Sequence, residues 1–479
     1  MPTIKFILVS IALLLLSCTA ANQKNSSGDT ATIATVDAFL ETQMAAHEIP
    51  GLALAVIQAG KLVHEGYYGK ADVSHDVPVQ ASTIFRVFSC TKLLVSTAVF
   101  QLIQEGKLAL TDELQQFFPD LTTSWQSIRI EHLLSHASGL PDLIYLPEGL
   151  GEEELLPLLQ AEDIQFPAGE RFRYNQTNYW LLKCIIEQLS GAGFDSFILD
   201  NQFESQEAGV AFSSNSLAVL PNRAHRYIYN AERKLEFLSV NNASWAHSGN
   251  GLNVSLPAFI GWSQRFDAGE LLEESSKSLM WSDFEFADEP RKFLRGWGVY
   301  EVANQRSIGF TGGGVAAYRK FPDRDITIIL MTNGYKYYPV HNDLVDQVAA
   351  LVDPALLDPE ANAANEVATT FLKGSFEEGQ LAYEACKNDF PDLNLEDRLN
   401  RIGYALMSAG QLEEAVTLFQ FNVAEHTNSW NVYDSLAEGF ANQGQIDLAI
   451  ENYKHSISLN PDNQNGIDQL AILTANQNN

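Results

Sequence analysis

The sequence predicts an α+β domain, a mainly antiparallel sheet flanked by helices with a helical part, followed by an all-α region of helical repeats. Three observations carry this reading. Residues 33–352 place strand signals at both ends, with mostly helical and loop segments between them, as layered α+β folds do. Residues 353–365 hold two prolines among alanines and acids and read as a linker. Beyond 366 the composition turns helical, and Gly410, Ala415 and Phe419 return 34 residues later as Gly444, Ala449 and Tyr453.

Composition narrows the function classes. The chain has 479 residues, 46% hydrophobic and 19% charged, enough to bury a large core. Sixty acidic against thirty basic residues leave a net charge of −30, which repels phosphate backbones and makes nucleic acid an unsuitable partner. Cys18, Cys90, Cys184 and Cys386 never approach Cys-x-x-Cys spacing, so neither a disulfide scaffold nor a cysteine-rich zinc module is expected.

The N-terminus reads as an address. Lys5 precedes an apolar run from Phe6 to Leu16, too short to span a bilayer and long enough for a signal-peptide core. Its end, Leu15-Leu16-Ser17-Cys18, resembles the lipobox of bacterial lipoproteins. That resemblance implies lipidation at Cys18, a signal peptide over 1–18 and an exported protein held at a membrane of the cell envelope. An ordinary secretory peptide cleaved near Cys18-Thr19-Ala20 is the alternative. Residues 19–32 are polar and read as a tether.

The elements follow in order. Ala34 to His47 has helical spacing, with Val36, Phe39, Leu40 and Met44 on one side. Gly51–Ile57 and Lys61–Tyr68 read as a hairpin around Ala59-Gly60. Gly314–Phe321 and Ile326–Thr332 are two more strands, parted by the turn Pro322-Asp323-Arg324-Asp325. In the last part, small residues at the helix crossing and aromatics after it resemble the tetratricopeptide repeat, which implies a surface for a protein or peptide partner. Two ordinary helical hairpins are the alternative, and residues 366–389 supply an irregular capping pair.

The candidate nucleophile is Ser89. Phe88-Ser89-Cys90-Thr91-Lys92 opens a helix in which Val95, Ala98, Val99 and Leu102 follow helical spacing and Gly106 caps the end. Positions i and i+3 share a face, so Lys92 is expected to touch the Ser89 hydroxyl. A desolvated amine accepts a hydroxyl proton and activates serine for acyl transfer. The helix N-terminus adds free backbone N–H groups where an oxyanion would form.

The stretches Thr83–Leu121 and Ile128–Leu143 around this motif resemble the serine hydrolases of the beta-lactamase and penicillin-binding superfamily, particularly the class C beta-lactamase-like branch. The resemblance covers about 33–345 and implies that superfamily's fold. A second landmark, Phe172-Arg173-Tyr174-Asn175-Gln176, resembles the family's Tyr-x-Asn element. It implies Tyr174 as the proton-transfer partner of Lys92. Gln176 stands where the family has Asn and keeps an amide for Lys92 or a substrate carbonyl. A third, Gly309-Phe310-Thr311-Gly312-Gly313-Gly314, resembles the Lys-Thr-Gly or His-x-Gly strand. It implies a substrate-binding strand of Phe310, Thr311, Gly312 and Gly313, the Gly313 N–H completing an oxyanion hole with the Ser89 N–H. Phe310 replaces the family's cation or imidazole, which argues against recognition of a substrate carboxylate.

Other polar groups carry less. His132 and His136 are four apart, but no Glu follows the first as a metalloprotease helix requires, so buried hydrogen bonding is expected of them and no metal. The run His247–Leu252 resembles a glycine-rich turn of the family and is assigned no role. The sequence thus points to an exported serine hydrolase acting through an acyl-enzyme, without cofactor, on a small-molecule ester, amide, D-amino-acid peptide or beta-lactam. Its rivals are a binding or sensor protein on a weakened hydrolase scaffold and a repeat-mediated interaction scaffold.

Overall fold

The computed structural model describes residues 27–147, 149–204, 209–230, 234–337 and 339–477. Cys18, the expected signal peptide and the first part of the tether lie outside them. The strands are β1 (Gly51–Gln58), β2 (Lys61–Asp72), β3 (Val77–Pro78), β4 (Ile84–Arg86), β5 (Val210–Phe212) and β6 (Tyr227–Tyr229). They continue as β7 (Leu235–Phe237), β8 (Leu252–Ser255), β9 (Gly298–Val302), β10 (Gln305–Gly312), β11 (Ala316–Phe321) and β12 (Ile326–Thr332). Seven form one sheet in the order β3-β2-β1-β12-β11-β10-β9, and β4-β8-β5 form a smaller one.

The hairpin forms where its turn chemistry asks for it. Ala59 and Gly60 both have positive φ, 50° and 71°, the pair that a two-residue turn between right-twisted strands needs. Strand β1 then pairs antiparallel with β12, Leu52 opposite Thr332 and Gln58 opposite Ile326, so the two ends of the domain become sheet neighbours. Along β1, Ala53, Ala55 and Ile57 enter one apolar cluster while Leu52, Leu54 and Val56 enter another. Both faces are buried, which is why β1 and β12 read as continuous apolar runs rather than alternating ones.

One face carries the candidate site. Helices Thr91–Gln104, Gln176–Ser190 and Leu256–Asp267 contribute Leu93, Val99, Ile185, Phe259 and Trp262 to its cluster. The opposite face belongs to helices Ser27–His47 and His341–Val352, and its cluster runs on without a break into the C-terminal helices through Val367, Leu399, Phe419 and Ala449.

Two boundaries differ from the expected ones. The first helix starts at Ser27, so residues 27–32 are not tether. Once Val36 and Leu40 dock in the apolar cluster, extending the helix backwards needs no new nucleus. Residues 353–365 are not a linker either. Pro354 and Pro359 each sit in the first turn of a helical segment, and the Asp353 and Asp358 side chains cap those turns by accepting from the Ala355 and Ala361 N–H groups. Leu356 between them is fully buried. The prolines start helices rather than a flexible joint.

Beyond them run helices Pro359–Lys373, Phe376–Asp389, Glu396–Ser408, Leu412–Glu425, Trp430–Asn442, Ile446–Leu459 and Gln464–Gln477. The sequence period has a structural counterpart. Gly410 and Gly444 both close a helix–helix turn at φ 75°, and Ala415 with Ala449, and Phe419 with Tyr453, are buried at matching places. This all-helical part is consistent with helical repeats.

Candidate active site

Ser89 lies in the tight turn Phe88–Cys90 that runs into helix Thr91–Gln104. Phe88 takes a φ of 46°, a left-handed conformation that an aromatic residue holds only when its surroundings enforce it. Thr91 supplies part of that enforcement. Its hydroxyl donates to the Phe88 carbonyl at 2.6 Å and accepts from the Leu252 N–H at 3.1 Å, tying the turn to β8. Cys90, next along, is buried, and burial pushes its thiol up to about 12, so it is no rival nucleophile.

The Tyr174 hydroxyl donates to Ser89 Oγ at 2.8 Å. Lys92 is fully buried, with Nζ donating to Gln176 Oε1 and to the Gly249 carbonyl, each at 2.9 Å. Nζ also lies over the rings of Tyr174 and Tyr179, 5.0 and 4.9 Å from their centroids. Among the described residues Lys92 and Ser89 are hydrogen-bonded to different partners. Two fixed acceptors take the amine, and Tyr174 is the group bonded to the serine.

Local structure explains the placement of Gln176. It opens helix Gln176–Ser190, whose N-cap, Asn175, accepts from the Thr177 N–H at 2.7 Å. The Gln176 N–H donates to Asp142 Oδ1 at 3.1 Å, and burial raises the carboxyl of Asp142 above its ordinary range.

Strand β10 approaches the Ser89 turn closely. A Cβ on Gly312 would stand 1.9 Å from the Val87 carbonyl oxygen and 3.0 Å from the Ser89 nitrogen, so only glycine fits there. Gly313, at φ 55°, packs on the Phe88 ring, and Thr311 beside it is half-buried. Phe310, expected on the substrate-binding strand, is buried beside Lys92. It is 6% exposed, packs in the main core and lies with its ring 6.0 Å below the Lys92 amine. Its ring lies beside those of Tyr174 and Phe293, 6.3 and 6.4 Å between centroids.

A cavity of about 320 Å³ opens beside Gln176 and Gly249, walled in part by Ile144, Trp180 and Trp245. A larger one, about 430 Å³, lies on the other side of the sheet against Phe39, Leu344 and Leu357, far from Ser89. Sequence reasoning missed the Gly249 carbonyl, because a backbone oxygen has no side-chain signature. It also took His136 as a buried hydrogen-bonding group without seeing that its ring lies against Tyr174, at 4.4 Å between centroids.

An antiparallel sheet faced by a helix that opens with Ser-x-x-Lys, with a tyrosine bonded to that serine, defines a class. It is the Beta-lactamase family of serine hydrolases, to which this chain belongs: the family's profile matches residues 36–352. Among curated relatives, protein flp of Staphylococcus aureus (strain MW2) is 26% identical over 175 residues, 35% of each chain. The match thus spans 35% of that relative's own length. Among solved structures, the octameric penicillin-binding protein homologue from Pyrococcus abyssi superposes with a TM-score of 0.59 at 20% identity, over 70% of this chain and 81% of that one. The D-amino acid amidase from Ochrobactrum anthropi SV3, complexed with D-phenylalanine, gives 0.58 at 18% identity, over 69% of this chain and 100% of that one. At these identities the structural likeness is one of fold.

Proposed function

We propose that the chain hydrolyses a small neutral ester or amide through an acyl-enzyme on Ser89. The observation that carries this is the Tyr174 hydroxyl at 2.8 Å from Ser89 Oγ, beside a buried Lys92. With the Tyr174–Lys92 pair carrying one proton fewer than phenol plus ammonium, Ser89 Oγ attacks the substrate carbonyl carbon and its proton passes to the pair through the Tyr174 oxygen. The N–H groups of Ser89 and Gly313 receive the tetrahedral oxyanion. The carbonyl re-forms as the leaving alcohol or amine departs with the proton from Tyr174. Water then attacks the acyl-enzyme, losing a proton to the same pair, and frees the acid and Ser89.

Substrate charge follows from position 310. Phe310 puts an apolar ring rather than a second cation beside Lys92, so a substrate carboxylate finds no charged side chain at position 310. We further assign the protein to the cell envelope through a lipid on Cys18, with the C-terminal helices as a surface for a protein or peptide partner. Incorporation of labelled palmitate, lost in Cys18→Ser, tests the anchor.

The test of the chemistry is intact mass after exposure to neutral acyl esters, with Ser89→Ala alongside. The wild-type protein is expected to gain one acyl group and the variant none. Undiminished hydrolysis by Ser89→Ala would refute the assignment.

A further inference from the structure

His136 is buried and left-handed, with φ 54°. Two hydrogen bonds that it accepts straddle Tyr174. The Arg173 N–H donates to the His136 carbonyl at 2.9 Å, and the Asn175 N–H donates to His136 Nδ1 at 3.1 Å. Between these anchors the imidazole lies against the Tyr174 ring, 4.4 Å between centroids and tilted by 40°. One residue thus pins the backbone on both sides of Tyr174 and supplies a floor for its ring. We propose that His136 is the positioning residue that holds the Tyr174 hydroxyl on Ser89, a role that rests on the acyl-enzyme reading above.

The need for such a device is visible in the site. Tyr174 is 37% exposed and lies in an irregular segment before helix Gln176–Ser190, so nothing regular fixes its direction. A displacement of about 1 Å would break the bond to Ser89 and cost catalysis heavily. The chemistry of His136 suits the task. Because an N–H donates to Nδ1, that nitrogen is unprotonated and Nε2 carries the hydrogen. Burial and the nearby Lys92 both hold the imidazole well below its ordinary range. The titratable groups facing it are Lys92 from helix Thr91–Gln104, Tyr174, and Tyr179 from helix Gln176–Ser190, with Phe172 and Phe293 completing the cage. The ring is neutral and adds no positive charge beside Lys92.

The test is a double-mutant cycle with Tyr174→Phe on a neutral ester. His136→Asn keeps an amide oxygen for the Asn175 N–H and a residue type that accepts positive φ, but removes the ring. In the wild-type background it is expected to lower kcat about 10- to 100-fold, the scale of lost orientation, with KM changed less than about threefold. With Tyr174 already Phe, the same change is expected to cost less than about twofold, because the positioned hydroxyl is gone. An equal loss in both backgrounds would mean a merely structural role and overturn the proposal, as would a loss confined to KM. Should His136→Asn not fold, as judged by its melting, His136→Gln enters the same cycle. Failure of the acyl-enzyme reading looks different, since Ser89→Ala would then stay active.

Discussion

At Gly312 the absence of a side chain decides how near strand β10 comes to the Ser89 turn. Gly312→Ala would put a methyl 1.9 Å from the Val87 oxygen, so strand or turn must retreat. The expected cost is about 1–3 kcal/mol of stability from overpacking, with acylation falling more than about tenfold as the oxyanion donors separate. Stopped-flow acylation with a melting curve checks both, and an unchanged rate would show that the glycine serves only the fold. Phe310 makes the second residue-scale prediction. Wild-type kcat/KM should favour a neutral ester over a matched ester bearing a free carboxylate, and Phe310→His should narrow the gap. A wild-type preference for the anionic ester would locate the carboxylate's partner elsewhere. The landmarks Ser89, Lys92 and Tyr174 were legible as residue types at a spacing. The choice of Tyr174 over Lys92 as the serine's partner was not, because it depends on Gln176 Oε1 and the Gly249 carbonyl reaching Lys92 first.

Among the elements, helix His341–Val352 carries an acid-sensitive start. Burial, with Arg319 nearby, pushes His341 down to about 4. The unfolded chain takes up this proton near pH 6.5 and the folded chain only near 4, so His341 subtracts stability as pH falls through that window. Asp346, one turn on, acts in the opposite sense. Burial raises it to about 6, so its contribution is lost as pH rises through that value. His341→Gln removes the first effect alone, and its Tm should fall less than that of the wild type between pH 7 and 5. Parallel Tm curves would clear His341. At this scale the hairpin at Ala59-Gly60 and the helix after Ser89 were readable, since turn residues and apolar spacing are local signals. The prolines at 354 and 359 misled, because the same residue type breaks a helix from within and begins one from its first turn.

Over the whole molecule, the hydrolase domain and the C-terminal helices are coupled rather than strung together. They share an apolar cluster from Leu54 and Leu330 to Phe419 and Ala449, and Arg398 donates to the Asp343 carboxylate at 3.2 Å across the seam. A chain ending at 352 should therefore lose solubility or melt several degrees below the full protein, since it bares the apolar surface that Val367, Ala368 and Phe371 cover. Melting at the same temperature as the full chain, with activity intact, would show the two parts to be independent.

The sequence by itself determined the α+β class, the antiparallel ends of the domain, the 34-residue helical period and the short list of residues at the candidate site. Each is written in nearest-neighbour patterns: period, turn residues, a motif at fixed spacing. The pairing of β1 with β12, the burial of Phe310, the hydrogen bond from Tyr174 to Ser89 and the packing of His136 against Tyr174 came only with the folded chain. These depend on groups far apart in sequence competing for one place. Backbone carbonyls and ring faces win much of that competition, and neither is announced by a residue's letter.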